Sequence, residues 1–288
     1  MSDDYQQLLE ATIGHLENLK DRGANYVTVD SATLISLSQP ARLASAGLRQ
    51  EARSGATDEK LSLPVQREIT TPPPKISDKF PEKETAIAEL KNRALVCLKC
   101  PNLASSRQNV VFGIGDIESP LMFVGEAPGA DEDAQGEPFV GKAGELLTRI
   151  IQTMGFSRQT VYIANVLKCR PDTPGQAYGN RKPTTDEMKT CLPYLLEQID
   201  IIKPKVIVAL GATAVEGLFG KPMPISKIRG TWQTLRDTPV MPTFHPAYLL
   251  RNQALSEKRK VWEDMLQVME KLDAPISEKQ RKFFLKAT

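Results

Sequence analysis

The stretch that decides the fold is LMFVGEAPGADEDAQGEPFVGKAGELL at residues 121–147. Its first four residues are apolar, with the length and composition of a buried strand, and the run stops at Gly125. Gly125 and Gly129 carry no Cβ and therefore let the backbone come close to a ligand. Apolar residues at helical spacing over 142–151 then predict a helix. A strand, a glycine-flanked loop and a helix in this order predict a binding pocket at the carboxyl end of the strand.

Three acids and an aromatic residue follow the same turn. We expect Asp131, Glu132 and Asp133 at the mouth of the pocket, and Phe139 comes shortly after them. One of these carboxylates could position a water molecule, but a solvated loop explains each acid equally well. The pattern itself leaves both interpretations open.

A second short apolar segment, VYIANV at 161–166, predicts another strand, with Asn165 near its end. An asparagine at a strand end usually satisfies a turn. Its side-chain amide also offers one acceptor and two donors, which is enough to bind the edge of a pyrimidine. On this pattern alone, either role is possible.

Composition restricts the class of protein. Hydrophobic residues make up 41% and charged residues 25% of the 288, which is typical of a soluble globular protein. The apolar runs are far shorter than a membrane span, and the acidic start MSDDYQQLLE lacks the apolar core of a secretory signal. We therefore expect a cytoplasmic protein with no membrane contact. The net charge of +2 permits a nucleic-acid partner without requiring one.

Composition also divides the chain into four parts. Residues 1–38 carry apolar side chains at helical spacing, which predicts an amphipathic helical segment that docks on a protein partner. Residues 39–84 are rich in Pro, Ser, Ala and charge, which predicts a disordered linker. Strand and helix patterns alternate over 85–272, and 273–288 form a C-terminal tail.

The four cysteines form the pattern Cys97-Leu-Lys-Cys100, then Cys169, then Cys191. A reducing cytoplasm argues against disulfides, so free thiols with an accidental CxxC compete with a metal site. A zinc ribbon would normally offer a second CxxC, whereas 21 residues separate Cys169 from Cys191. A CxxC with two dispersed cysteines is more typical of a [4Fe–4S] cluster, which takes one thiolate per iron.

The last motif is FHPAYLLR at 244–251, in which His245 is followed directly by proline. Taken alone, this histidine is more simply interpreted as structural than as catalytic. An amphipathic helix over 258–272 then closes the domain. The alternation of strands and helices predicts a three-layer α/β/α sandwich with a mainly parallel central sheet.

With GEAPG, FVGKAG, NVLKCRP and HPAYLLR in this order, residues 85–272 resemble the family-4 uracil-DNA glycosylases, which carry an iron–sulfur cluster. The resemblance implies a monomeric DNA repair enzyme that acts on uracil in single- or double-stranded DNA. It also implies that a structural [4Fe–4S] cluster is bound by Cys97, Cys100, Cys169 and Cys191.

The resemblance further implies a set of residues that bind uracil. They are Glu126, Ala127, Pro128, Phe139, Asn165 and His245. Phe139 would stack on the face of the base, Asn165 would bind its edge, and His245 would donate to O2 and stabilise the departing anion.

Three further roles are expected from the resemblance and the neighbouring residues. Ala127 occupies the position at which the first family of these enzymes has a water-positioning aspartate, so Glu132 is the candidate for that task. Leu249 would insert into the base stack that the flipped nucleotide leaves, and Arg251 would lie near phosphate.

Two alternatives remain at this point. A non-catalytic iron–sulfur module could bind DNA for a polymerase or repair complex with the same fold. A protein that traps DNA covalently would need a basic, histidine-bearing insertion after FVGKAG, and the sequence has none. Phe139, Asn165 and His245 together favour catalysis over binding alone.

Overall fold

The computed structural model describes residues 81–173 and 176–285. The segment predicted at 1–38 and nearly all of the linker predicted at 39–84 lie outside these residues. Helix α1, Pro81–Leu95, begins inside the final residues of that predicted linker. A proline at the start and acidic side chains in the first turn favour this boundary, because both suit a helix N-terminus.

A six-stranded sheet forms the centre of the described chain. Its strands are β1 Ile114–Gly115, β2 Leu121–Gly125, β3 Tyr162–Asn165, β6 Val206–Leu210, β7 Gln233–Leu235 and β8 Thr238–Thr243, and a separate hairpin is formed by β4 Asp172–Thr173 and β5 Gln176–Asn180. The spatial order is β1–β3–β2–β6–β8–β7. The four inner strands are parallel, and β1 and β7 pair antiparallel at the two edges. The mainly parallel sheet is therefore confirmed.

Helices cover both faces of this sheet. After α1 they are α2 Pro101–Ser106, α3 Ala130–Gln135, α4 Lys142–Thr153, α5 Thr185–Ile202, α6 Ala212–Phe219, α7 Ile225–Ile228, α8 Pro246–Arg251, α9 Leu255–Lys271 and α10 Glu278–Arg281. One apolar core joins the sheet to α4 and α9, and a second core joins its opposite face to α5 and α6. Every residue of β2 and β6 is buried, as expected for parallel strands that are covered on both faces. The three-layer sandwich is confirmed.

The parallel strands end at one edge of the sheet and bring distant parts of the chain together there. Gly125 at the end of β2 lies beside Asn165 at the end of β3. On the other side, Leu210 of β6 lies beside Thr243 of β8, and the chain continues from Thr243 to His245. The GEAPG segment, Asn165 and the HPAYLLR segment therefore meet at this edge, although up to 120 residues of sequence separate them.

One segment differs from the sequence-based expectation. The acids at 131–133 form helix α3 rather than a loop, and Glu132 stabilises its start by accepting a hydrogen bond from the backbone N–H of the N-cap Gly129. The polar segment at 170–183 contains the β4–β5 hairpin.

The C-terminal tail predicted at 273–288 packs on the domain where it is described. Trp262 donates from Nε1 to the carbonyl of Gln280 at 2.6 Å, and its ring lies 5.5 Å from that of Phe283. No helix in the described ranges is long and apolar enough to cross a membrane.

Candidate active site

A cavity of about 420 Å³ lies at the carboxyl edge of the sheet. All of the residues that the sequence assigns to base binding line it: Glu126, Ala127, Pro128, Phe139, Asn165 and His245. Glu132 and Arg251 line it as well, whereas Leu249 does not.

Asn165 is almost completely buried, and its Oδ1 has no hydrogen-bond partner among the described residues. Buried polar atoms are nearly always paired in folded proteins, so an unpaired amide oxygen at a cavity indicates a ligand contact. Gly125 leaves room for this arrangement: a Cβ at that position would lie 2.4 Å from Oδ1 and 2.5 Å from the Phe139 ring. The strand end is therefore shaped around both side chains.

Phe139 has a left-handed backbone, with φ of 56°, which disfavours a residue with a side chain. Arg158 stabilises this conformation by donating to the carbonyl of Pro138 at 2.7 Å and to that of Phe139 at 3.0 Å. Gly144 permits the close approach of α4, since a Cβ there would lie 1.8 Å from the Phe139 oxygen. The aromatic ring is thus held in place by backbone contacts before any ligand binds.

His245 faces the same cavity from the start of α8. Its Nδ1 accepts a hydrogen bond from the backbone N–H of Ala247 at 3.1 Å. Burial, with a smaller contribution from the Arg251 charge, lowers the pKa of His245 to about 4. The imidazole is therefore neutral near pH 7, and because Nδ1 accepts, we assign its proton to Nε2. The His245 and Phe139 rings are 5.7 Å apart and inclined by 29°.

A buried network fixes the strand that leads to His245. Thr243 donates its hydroxyl to Asp264 at 2.6 Å, and Arg229 forms an ion pair with the same carboxylate. Burial raises the pKa of Asp264 to about 6, against the lowering effect of Arg229 and Thr243.

The four cysteines line one recess, formed by the α1–α2 connection, the segment after β3, and α5. Cys169 and Cys191 are buried. Arg107 donates to Cys169 Sγ at 3.2 Å, and the backbone N–H of Lys168 donates to Cys191 Sγ at 3.2 Å. Burial raises the pKa of Cys191 to about 12 and also raises that of Cys169, so neither thiol ionises readily without a cation.

The donor set of the recess fits an iron–sulfur cluster, because cysteine thiolates are the ligands of such clusters. Within the described ranges, no group of three His, Cys, Asp or Glu residues is close enough to hold one metal ion. A cubane cluster places each thiolate on a different iron, so its ligands lie farther apart than those of a single zinc. Four cysteines around one recess, with two N–H donors to sulfur, fit that arrangement.

Comparison with known proteins decides the family. The model of the uracil DNA glycosylase superfamily matches residues 112–266. The chain belongs to this superfamily. A type-4 uracil-DNA glycosylase of Thermotoga maritima is 46% identical over 187 residues, which cover 64% of this chain and 93% of the relative. A type-4 enzyme of Archaeoglobus fulgidus is 38% identical, covering 60% and 87%, and a type-5 enzyme of Pyrobaculum aerophilum is 28% identical, covering 43% and 65%. The family-4 resemblance of the four motifs is therefore confirmed.

Glu132, the acid predicted to position water, lines the cavity and accepts hydrogen bonds from three backbone N–H groups. Its Oε2 accepts from Gly129 N at 3.0 Å, and its Oε1 accepts from Val140 N at 3.0 Å and Gly141 N at 3.2 Å. These contacts tie the GEAPG segment to the FVGKAG segment, and the water-positioning role of Glu132 stays a prediction.

The two neighbouring acids are not free to replace it. Asp133 is buried and accepts from the backbone N–H groups of Gln108 and Asn109, so its task is structural. Asp131 is exposed and does not line the cavity.

Leu249, the residue predicted to insert into the base stack, does not line the cavity in the free protein. It is buried in an apolar cluster with Phe244 and Val261, because α8 turns this side chain toward α9. Leu250, the next residue, is 36% exposed. Arg251 does lie at the cavity, and its guanidinium has no protein acceptor in the described ranges.

The sequence did not reveal that Asn180 and Arg181 would line the cavity. Asn180 accepts from Arg170 Nε at 2.9 Å, and Arg181 is paired with Glu187 at 2.6 Å. The β4–β5 hairpin brings both residues to the cavity. The polar sequence of that segment has no periodic pattern from which the hairpin could be predicted.

Glu126 adds a half-buried acid to the cavity wall. Burial raises the pKa of its carboxyl, and a hydrogen bond with Thr213 opposes this change.

Proposed function

We propose that this protein hydrolyses the N-glycosidic bond of uracil in DNA and leaves an abasic site, as the names of its type-4 relatives suggest. The observation that supports this most strongly is the buried, unpaired Oδ1 of Asn165 in a cavity bordered by Phe139 and His245. An unsatisfied acceptor between an aromatic ring and an imidazole is suited to a flat base with an N–H edge.

The uracil must leave the helix to reach this cavity. Extruding a nucleotide costs a few kcal/mol, which the enzyme recovers by binding the base. Stacking on Phe139 contributes about 1–3 kcal/mol of that binding energy.

Asn165 gives the cavity its preference for uracil. Its Oδ1 accepts the N3–H of uracil, and its Nδ2 donates to O4. Cytosine has no proton on N3 and carries an amino group where uracil has O4, so both contacts are lost. Leaving these buried groups unpaired costs about 1–3 kcal/mol for each.

His245 stabilises the leaving group. When the C1′–N1 bond breaks, its electron pair passes to the uracil ring and develops as negative charge on O2. The neutral imidazole donates Nε2–H to this oxygen, and it is already neutral and oriented in the free enzyme. Water then adds to C1′ of the sugar and releases a proton.

A [4Fe–4S] cluster bound by Cys97, Cys100, Cys169 and Cys191 would crosslink three segments of the chain. When bound, it supplies iron–thiolate bonds that hold these segments together. Cys169 follows Asn165 by four residues, so the recess supports the strand end that carries the base-binding amide. We therefore assign the four cysteines a structural task.

The remaining partner assignments follow from the same proposal. The substrate is uracil-containing DNA, single- or double-stranded, and the enzyme acts as a cytoplasmic monomer. The N-terminal segment at 1–38 would contact a protein partner.

The test is release of uracil from labelled single- and double-stranded oligonucleotides, detected by alkaline cleavage at abasic sites. We expect cleavage at uracil and none at cytosine. Binding of uracil-DNA by folded, brown protein without any cleavage would instead support the non-catalytic DNA-binding module.

A further inference from the structure

A second cavity lies beside the first, on the other side of α8. We call it the flanking groove; it measures about 230 Å³ and its walls are apolar. Helix α4 contributes Leu146 and Ile150, helix α8 contributes Leu249 and Leu250, and Phe284 closes the far side. Leu250 and Phe284 are 36% and 41% exposed, so the groove is open to solvent.

Helix α4 contributes residues to both the uracil cavity and the flanking groove. Ala143 of α4 lines the cavity, and Leu146, Arg149 and Ile150 of the same helix line the groove. The six residue steps from Ala143 to Arg149 span about 9 Å along the helix axis. This distance corresponds to roughly two to three nucleotide steps at 3.4 Å each.

Unpaired cations mark the edge of the flanking groove. Among the described arginines, only Arg149 and Arg251 have a guanidinium with no hydrogen bond or ion pair to the protein. Arg251 lines the uracil cavity, and Arg149 lines the groove together with Lys258. Glu145, one turn before Arg149, makes no ion pair with it. Positive charge is therefore available both at the uracil cavity and at the flanking groove.

We propose that the flanking groove binds the DNA strand next to the flipped uracil, with one neighbouring base on Phe284 and Leu250 and phosphates at Arg149 and Lys258. The proposal rests on the uracil-DNA activity proposed above. An apolar recess with an exposed aromatic ring and adjoining cations is the arrangement by which proteins bind single-stranded nucleic acid without reading its sequence. The flanking groove would thus bind the DNA strand through contacts that do not involve the excised base.

Salt dependence tests the phosphate contacts. Affinity for single-stranded DNA that carries a non-hydrolysable 2′-fluoro uracil nucleotide is measured over a range of KCl concentrations. The slope of log K against log salt should become shallower by about 0.7 in Arg149→Gln and by about 1.4 in the Arg149→Gln/Lys258→Gln double variant. The matched control is Arg236→Gln, which removes the same charge from an arginine that is paired with Asp200. Its slope should equal that of the wild type.

A base analogue tests the stacking contact. 2-Aminopurine is placed in turn at each of the three positions on either side of the uracil. We expect a fluorescence change on binding at one flank only, and Phe284→Ala should abolish it and weaken DNA binding by about 5- to 150-fold. Unchanged slopes in the arginine and lysine variants together with an unchanged signal in Phe284→Ala would overturn the proposal.

The wild-type glycosylase assay separates this inference from the proposed function. If the wild type releases uracil but the variants bind and respond as it does, the groove assignment is wrong and the function stands. If the wild type binds the fluorinated strand with the predicted slopes but releases no uracil, the groove assignment stands and the function is wrong. Because Arg149 is exposed, its variant should fold even if Phe284→Ala does not.

Discussion

The uracil cavity and the four-cysteine recess are organised by different means. In the cavity, Phe139, Asn165 and His245 are held by hydrogen bonds and close backbone contacts that the chain makes by itself. In the recess, the thiols of Cys169 and Cys191 have raised pKa values, and each sulfur accepts a single N–H hydrogen bond within the described residues. The cavity is thus complete without a ligand, whereas the recess needs a cation to charge its thiols. This difference predicts that substitutions in the recess act on folding and substitutions in the cavity act on chemistry.

The largest effect is expected for Cys169→Ala. Loss of one cluster ligand should remove the brown absorbance and leave most of the protein insoluble, because three segments lose their crosslink. Iron and sulfide per protein, with thermal unfolding of any soluble fraction, measure this. Thr190→Ala, which changes a residue of the recess without removing a thiol, should keep its colour. A soluble and coloured Cys169→Ala variant would refute the ligand assignment.

His245→Ala, in contrast to Cys169→Ala, should reduce turnover and leave folding intact. We expect turnover to fall by about 10²- to 10³-fold, as for the loss of one preorganised donor to a developing anion, while DNA affinity and unfolding temperature change little. Single-turnover kinetics and a binding titration separate the two quantities. Tyr248→Phe, which removes a hydroxyl from the same helix, should keep most of the activity. Loss of folding in His245→Ala would show that the histidine is structural instead.

Arg158→Gln should weaken substrate binding more than turnover. The guanidinium donates to the carbonyls of Pro138 and Phe139, and hydrogen bonds from a charged donor contribute about 1.5–3 kcal/mol. We expect KM to rise about tenfold with kcat within about threefold of wild type, and Arg158→Lys to recover part of the loss. Steady-state kinetics on single-stranded substrate measure both constants. A fall in kcat without a change in KM would mean that Arg158 does not position the Phe139 ring for stacking on the base.

The smallest effect concerns acid stability. His245 has a folded-state pKa of about 4 against an unfolded value near 6.5, so its contribution to stability is present above pH 6.5 and is lost as the pH falls through 4. Asp264, with a pKa raised to about 6, acts in the opposite direction: its contribution is present below its unfolded pKa and is lost as the pH rises through 6. Urea unfolding at pH 7, 5.5 and 4.5 should show that His245→Gln loses less stability on acidification than the wild type. Parallel curves for the two proteins would contradict the buried, neutral state of His245.

The sequence predicted those strands, helices and cavity residues that depend on local patterns. The two apolar runs became β2 and β3, and the helical spacing after residue 142 became α4. The motifs also identified Phe139, Asn165 and His245, which the structure brings to one cavity.

What the sequence missed depends on contacts between distant residues. The carboxylate of Glu132 accepts from N–H groups eight and nine positions away, and these contacts could not be inferred from its place in an acidic run. The burial of Leu249 depends on how the short α8 turns against α9. Asn180 reaches the cavity through a hairpin that has no periodic signal.

The central claim is that Asn165 Oδ1 accepts the N3–H of a flipped uracil. The most direct test is to compare the excision of uracil with that of N3-methyluracil from the same single-stranded oligonucleotide. We predict that uracil is released and that N3-methyluracil is not, because the methyl group removes the donor and fills the space in front of the amide. Equal excision of the two bases would contradict this account of the cavity.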